Sequence, residues 1–186
     1  MAFAAQADVV YIDLSSSAFA AANGQHSFTT AVMGETITLV AHRDGPFDHS
    51  TLAWTVDGIG VKSIIGDPHE IGFLEMETTV LQPPMRVVYV DIGKLFSSER
   101  LKYSLSIDNG AYSDWQDGPW GNNTGETSFG VGIDGVTGIR FRPDTLTSDF
   151  TVSGIGGVTV PDGGVTLMLL GGVLVGLETL RRKFRA

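Results

Sequence analysis

The strongest constraint on the fold is a strict two-residue period in RLKYSLSI, residues 100–107. Four apolar side chains fall on one face of this segment, and charged or hydroxyl side chains fall on the other. Because successive side chains of a β-strand point to opposite faces, the period predicts a strand with one buried face. The tripeptide DNG follows directly at residues 108–110. It predicts a tight hairpin turn, with the partner strand over residues 111–115.

The rest of the chain repeats this pattern in short segments. Residues 74–80 alternate in the same way, and residues 85–92 are rich in β-branched side chains. Glycine supplies 24 of the 186 residues without a fixed period, which is typical of many turns between short strands. Further strands are predicted at residues 9–14, 26–32, 36–41, 52–56, 127–133, 137–142 and 150–155.

About ten short strands with regular turns predict an all-β fold. The predicted architecture is an antiparallel β-sandwich of the jelly-roll type, and a closed β-barrel is the alternative. Residues 94–100, around Leu95 and Phe96, are the segment of the body that favours a helical turn. Pro143 and the glycine-rich residues 154–157 are expected to act as the exit from the sandwich and as a linker.

The charge of the chain is strongly acidic, with a net value of −9. Four of the 12 basic residues lie within residues 181–185, so residues 1–164 hold 8 basic and 20 acidic side chains, a net charge of −12. Such a body excludes nucleic-acid binding, which needs clustered Lys and Arg against phosphates. The charge suits solubility or the binding of divalent cations. The chain contains no cysteine, so disulfides and thiolate chemistry are absent.

The first residues resemble the end of a signal peptide. Ala5-Gln6-Ala7 has the small-x-small pattern that precedes a signal-peptidase cut, which would start the mature protein near Asp8. A charged n-region and most of an apolar h-region are missing from residues 1–7. We expect these residues to be the remnant of an export signal, and an ordinary alanine-rich N-terminus is the alternative.

The last residues combine a turn motif, an apolar run and a basic cluster. Residues 165–177 carry no charged side chain, and Glu178 interrupts the run before Leu180. As a helix, residues 165–180 reach about 24 Å, which is short of a hydrocarbon core of about 30 Å. Cations directly after an apolar run hold the end of the segment in the cytoplasm. The cluster consists of Arg181, Arg182, Lys183 and Arg185.

This order of parts resembles the PEP-CTERM class of sorting signals, and within it the VPDSG-type variant, with VPDGG in this chain. The resemblance covers residues 160–186. It implies processing at or near the motif by an exosortase, a membrane-embedded enzyme that resembles a cysteine transpeptidase, and a host that makes extracellular polysaccharide. A plain C-terminal tail anchor is the alternative. The motif consists of Val160, Pro161, Asp162, Gly163 and Gly164.

The N-terminal pattern, the strand pattern and the C-terminal resemblance together divide the chain into five parts. We expect a cell-envelope or extracellular location after export, with transient membrane anchoring through the C-terminal helix. The parts are a signal-peptide remnant (1–7), a β-sandwich ectodomain (8–156), a linker with the sorting motif (157–164), a transmembrane helix (165–180) and a basic cytoplasmic tail (181–186).

The sequence offers no familiar catalytic motif. The four histidines form no H-x-H or H-x-x-x-H pair, and no nucleophile elbow, P-loop or dinucleotide fingerprint is present. We therefore expect a non-enzymatic body that acts as a structural or adhesive component of the matrix or surface. A secreted glycan hydrolase is an alternative, because spacing along the sequence does not reveal a carboxylate pair.

Calcium is the one cofactor that the acidic loops suggest, because this ion prefers carboxylate and loop carbonyl oxygens. Two loops offer such oxygens, although neither follows the EF-hand order. The alternative is that their aspartates cap local turns. The candidate ligands are Asp67, Glu70, Asp108, Asp114 and Asp117.

A cluster of aromatic residues lies between residues 111 and 125, where Tyr112, Trp115 and Trp120 alternate with Asp, Asn and Gly. Aromatic faces beside polar side chains are the chemistry that sugar-binding modules use. A carbohydrate-binding module that uses Trp115 and Trp120 is therefore the alternative function, with extracellular polysaccharide as the partner. The simpler interpretation is a loop that packs these rings on the edge of its own sandwich.

Overall fold

Eleven β-strands and one short 3-10 helix, Ser17–Ala22, form the described part of the chain in a computed structural model. The structure describes residues 9–32, 34–42, 50–62, 75–82, 85–144 and 148–159. The strands are β1 (Val9–Asp13), β2 (Ser27–Val32), β3 (Glu35–His42), β4 (Thr51–Thr55), β5 (Gly58–Lys62), β6 (Glu75–Gln82), β7 (Met85–Gly93), β8 (Arg100–Ile107), β9 (Gln116–Trp120), β10 (Thr127–Pro143) and β11 (Thr151–Thr159).

All pairs between these strands are antiparallel, and they form one connected sheet in the order β2-β3-β6-β10-β7-β11-β5-β4. Strand β1 adds to the free edge of β11, while β8 pairs with β10 and carries β9. The two ends of the order meet, because β4 contacts β3 and the Leu52 amide donates to the Gln25 carbonyl at 2.7 Å. The predicted antiparallel all-β class is confirmed, as a sandwich-like and nearly closed barrel.

Strand β10 joins two lobes of the sheet. Its first half pairs with β7, which continues to β11, and its second half lies between β6 and β8. The bend contains two register shifts between Gly130 and Val136. Gly132 and Gly135 have φ values of +62° and +72°, a left-handed conformation that glycine adopts without a steric penalty. The predicted break between residues 133 and 137 was therefore wrong, since these glycines bend one strand instead of ending it.

The core forms from the apolar face that the two-residue period predicts. On β8, Leu101 and Leu105 are almost completely buried. Ser104, on the opposite face, is buried as well, because residues 110–113 cover it and its Oγ donates to the Ser113 carbonyl at 2.6 Å. The outer face of this strand is therefore packed against a loop at Ser104 and Ser106, while Arg100 and Lys102 remain partly exposed.

The hairpin after β8 was predicted correctly at its turn and incorrectly at its second strand. Asp108 and Asn109 both have positive φ values, and the Gly110 amide donates to the Ile107 carbonyl at 2.8 Å. This geometry is the one expected for a tight hairpin turn. The partner strand begins only at Gln116, since residues 111–115 lie across the sheet as a loop.

Two further predictions were wrong. Residues 94–100 form no helical turn, because Lys94 and Ser98 have left-handed φ values of 58° and 79° that interrupt a right-handed helix. The glycines at residues 154–157 are no linker, because they belong to β11 and pair with both β7 and β1. Strand β11 continues to Thr159.

The expected export remnant (1–7) and the sorting signal (160–186) lie outside the described residues. Within the part of the chain that the structure describes, no helix is both long enough and apolar enough to cross a membrane.

Candidate functional site

A polar cleft of about 860 Å³ opens where the ends of β1 and β7 meet the starts of β10 and β11. The turn between β4 and β5 and two loops near residues 96 and 125 complete its wall. This size lies within the range of small-molecule sites. The residues that define its chemistry are Tyr11, Asp57, Asp91, Lys94, Phe96 and Ser128.

Asp91 provides a fixed carboxylate in this polar cleft. The Tyr11 hydroxyl donates to its Oδ2 at 3.0 Å, and the Ser128 hydroxyl donates to its Oδ1. Strand register brings these groups together, because Asp91 lies opposite Ser128 on β10 and opposite Gly154 on β11. An ionised carboxylate has about four acceptor positions, so two hydrogen bonds leave acceptor capacity on both oxygens.

The Tyr11 hydroxyl is held in its protonated form. Partial burial raises the pKa of Tyr11 to about 12, and the hydrogen bond to Asp91 together with the negative charges of Asp91 and Asp13 adds to the shift. The phenol therefore acts as a hydrogen-bond donor to Asp91 at neutral pH.

Two glycines, Gly154 and Gly156, leave space for the tyrosine rings against the sheet because they have no side chain. Tyr11 and Tyr89 both pair with Gly156 in the strand register, and their rings stack with centroids 6.1 Å apart. A Cβ on Gly156 would lie 2.2 Å from the Tyr89 ring, and a Cβ on Gly154 would lie 2.3 Å from the Tyr11 oxygen. The two rings therefore pack directly against the backbone of these glycines.

The opposite wall carries an ion pair. The Lys94 Nζ lies 3.7 Å from Asp57 Oδ2, and Asp57 sits in the turn between β4 and β5. The Thr151 hydroxyl donates to the Asp57 carbonyl at 2.8 Å, and the Asp57 amide donates to the Thr55 hydroxyl at 3.2 Å. These bonds fix the turn against β11.

Phe96 presents an exposed ring on a rigid loop. The side chain is 50% exposed, and its ring lies beside Gly125, where a Cβ would be 2.9 Å away. The Phe96 amide donates to Glu99 Oε2 at 2.6 Å. Two backbone bonds tie this loop to the next, from Leu95 to the Gly125 carbonyl and from Asn122 to the Leu95 carbonyl. The ring is therefore accessible, and hydrogen bonds hold the backbone that carries it.

The polar cleft has an excess of negative charge. Its lining includes the carboxylates of Asp57, Asp91 and Glu126, against the single ammonium group of Lys94 among the lining residues. With three carboxylates against one ammonium group, the charged side chains of the lining sum to −2, which makes the local field negative. This field disfavours anionic ligands and suits neutral ligands that donate hydrogen bonds.

The predicted aromatic candidates Tyr112 and Trp115 lie elsewhere, on the outer face of β10. The Arg140 guanidinium stands 4.6 Å from the Tyr112 ring and 4.9 Å from the Trp115 ring, and Arg142 stands 4.2 Å from Trp115. We call these four residues the arginine–aromatic stack. Burial raises the pKa of Tyr112, and the charge of Glu77 adds to this effect. The rings of Tyr112 and Trp115 pack on the sheet's own arginines.

Trp120 differs from Trp115 in its surroundings. It lies on β9, which pairs only with β8 among the described strands, and its side chain is 59% exposed. The Arg100 guanidinium is 5.3 Å from its ring centroid. The two tryptophans therefore contact different arginines.

Two of the calcium candidates within residues 108–117 have other contacts in the structure. Asp108 belongs to the hairpin turn, and Asp117 pairs with Arg100 at 2.7 Å and with Lys102 at 3.9 Å. No three His, Asp or Glu side chains converge as metal ligands in the described ranges, Asp114 included. The other candidates, Asp67 and Glu70, lie outside the described residues.

Comparisons with known proteins leave the family open. No protein-family model and no curated protein matches the chain. It is similar to exo-β-1,3-galactanase from Phanerochaete chrysosporium, solved with galactose, at 14% identity and a TM-score of 0.38, over 82% of this chain and 30% of that one. It is also similar to the enzymatically active domain of tailspike protein 4 from bacteriophage CBA120, at 15% identity and a TM-score of 0.27, over 74% of this chain and 19% of that one. The chain thus spans less than a third of either structure, and these values assign no function to it.

Proposed function

We propose that this chain is an exported protein of the cell envelope or extracellular matrix, with a C-terminal PEP-CTERM-type sorting signal that an exosortase processes. The motif at residues 160–164, the apolar residues 165–180 and the basic residues 181–185 support this proposal, since they supply a recognition site, a transient membrane helix and a cytoplasmic stop. The β-domain is the cargo, and it serves as a non-enzymatic structural or adhesive component.

The order of motif, apolar run and basic cluster over residues 160–185 carries the proposal. Strand β11 (Thr151–Thr159) is the last strand that the structure describes, and it lies between β7 and β1. Cleavage within residues 160–164 would therefore release the domain without removing any described strand. The net charge of −12 over residues 1–164 suits a solvated surface protein.

Mass spectrometry of the protein recovered from the surface or medium of its host tests this proposal. We expect a C-terminus within residues 160–164 and an N-terminus near Asp8. The variant Asp162→Ala should reduce processing, while the matched variant Asp114→Ala in the exposed loop should leave it unchanged. A surface form that still carries residues 165–186 would contradict processing and favour a plain tail anchor.

A further inference from the structure

We infer that the polar cleft binds neutral sugar units of a polysaccharide, with Phe96 as the stacking surface and Asp91 as the fixed hydrogen-bond acceptor. The inference does not depend on the proposed sorting, because it rests on the described β-domain alone.

The first support is the pairing of an exposed ring with a cleft of suitable size. A pyranose ring presents an apolar C–H face, and the Phe96 ring is 50% exposed beside a cleft of about 860 Å³. Bonds to Glu99 and between the two loops order the backbone that carries this ring before a ligand arrives. A fixed aromatic surface binds with little loss of conformational entropy.

The second support is the fixed acceptor. Sugar hydroxyls donate hydrogen bonds, and adjacent hydroxyls fit the two oxygens of one carboxylate. Asp91 is held from both sides by Tyr11 and Ser128, so its oxygens keep one orientation. Charge-assisted hydrogen bonds to an oriented carboxylate are about twice as strong as neutral ones.

The third support concerns charge, and it selects the class of sugar. Asp91 and Glu126 face the polar cleft while Lys94 is engaged with Asp57. A uronate, sulfate or phosphate group would meet like charge there. Neutral hexoses carry only hydroxyl groups and avoid this repulsion, so they are the favoured ligands.

The arginine–aromatic stack does not share these properties. Its rings lie within 5 Å of guanidinium groups, which occupy the positions that a sugar face would need. We therefore assign saccharide binding to the polar cleft rather than to Trp115. Trp120 lies outside both the stack and the cleft lining, and the titration below tests it directly.

Calorimetric titration of the purified 186-residue protein tests the inference. The probes are neutral gluco- and galacto-oligosaccharides, with oligouronates of the same length as the charged comparison. We expect binding of a neutral oligosaccharide, and a loss of about tenfold in affinity in Phe96→Ala and in Asp91→Asn. The matched controls are Trp120→Ala, an aromatic residue outside the cleft that is 59% exposed against 50% for Phe96, and Asp114→Asn, which should both stay within about twofold.

Thermal unfolding by circular dichroism checks that each variant is folded. Should Asp91→Asn unfold, Glu126→Gln replaces it as the carboxylate variant. The inference is overturned when no neutral oligosaccharide binds, when oligouronates bind more tightly, or when Trp120→Ala weakens binding and Phe96→Ala does not. These outcomes leave the mass-spectrometric test of sorting untouched, so the two proposals fail separately.

Discussion

Two regions of the sheet place tyrosine rings against glycine, yet they leave different surfaces to solvent. In the first lobe, Tyr11 lies over Gly154 beside the polar cleft, next to the exposed ring of Phe96. In the second, a Cβ on Gly138 would lie 2.6 Å from the Tyr112 hydroxyl, and Arg140 covers the ring at 4.6 Å. The first region keeps an aromatic surface open, whereas the second uses its rings to cover the protein's own charges.

The difference shows that aromatic density along a sequence does not identify a ligand platform. Trp115 stands out in the sequence, but Arg140 and Arg142 on β10 point to the same face of the strand and receive it. Phe96 stands alone in the sequence, and two linked loops hold it in the open. Whether an aromatic ring is open to a ligand depends on the side chains that the neighbouring strands and loops place against it.

The largest loss of stability should come from adding a side chain at Gly121, where the two loops near Phe96 contact each other. A Cβ on Gly121 would lie 2.0 Å from the Phe96 carbonyl oxygen and 2.4 Å from that of Leu95. Because backbone must move, we expect Gly121→Ala to lower the free energy of unfolding by about 3 kcal/mol. Urea denaturation measures this change.

The matched control is Gly130→Ala on β10, where a Cβ would meet no atom closer than 3.4 Å. Its free energy of unfolding should stay within about 0.5 kcal/mol of the parent. Equal losses in the two variants would show that the two loops are not rigidly linked, and the cleft would lose its fixed aromatic wall.

A smaller loss of stability is expected from a substitution in the arginine–aromatic stack. Trp115→Ala removes the ring that lies against Arg140 and Arg142, so we expect a loss of about 1–2 kcal/mol in the free energy of unfolding. Saccharide affinity should not change. A variant that stays fully stable but binds no saccharide would reverse the roles that we assign to the two regions.

The smallest expected effect is the change of stability with pH that the raised pKa of Tyr11 causes. Its pKa is about 12 in the folded protein, against an ordinary value of 10.0. The folded state therefore keeps a proton that the unfolded state loses, so this stabilisation is complete below pH 10 and disappears as the pH rises through 12. Absorbance titration of the phenols should show a step near pH 12 that Tyr11→Phe removes.

Asp91→Asn refines this titration. Burial is the larger cause of the raised pKa of Tyr11, and it persists in the variant, while the charge of Asp91 is lost. The pKa should therefore fall below 12 and stay above 10. An unchanged titration step in Asp91→Asn would contradict the hydrogen bond on which the cleft geometry depends.

The strands were predictable because a strand that is buried on one face alternates apolar and polar residues, which gives the sequence a two-residue period. That period placed β8 at residues 100–107, as observed. It could not show that Gly132 and Gly135 bend β10 instead of ending it, since the same glycines also favour turns. Nor could it show that the strand predicted at residues 150–155 continues to Thr159, because the glycines at 156 and 157 leave no alternating side chains there.

The polar cleft was not predictable from the sequence. Tyr11 and Asp91 are 80 residues apart, and Asp91 and Ser128 are 37 residues apart, so only strand register brings the three together. Register follows from the whole sheet rather than from any local pattern. Phe96 was assigned to a helical turn, and the left-handed conformations of Lys94 and Ser98 that expose it have no clear sequence signal.

Backbone amide NMR shifts during titration with a neutral oligosaccharide test the central claim most directly, because they report on both regions at once. We expect the perturbed amides to cluster at Phe96, Asp91 and Ser128, with little change at Trp115 and Trp120. Perturbations centred on residues 111–120, or the absence of perturbation at residues 91–96, would contradict the account.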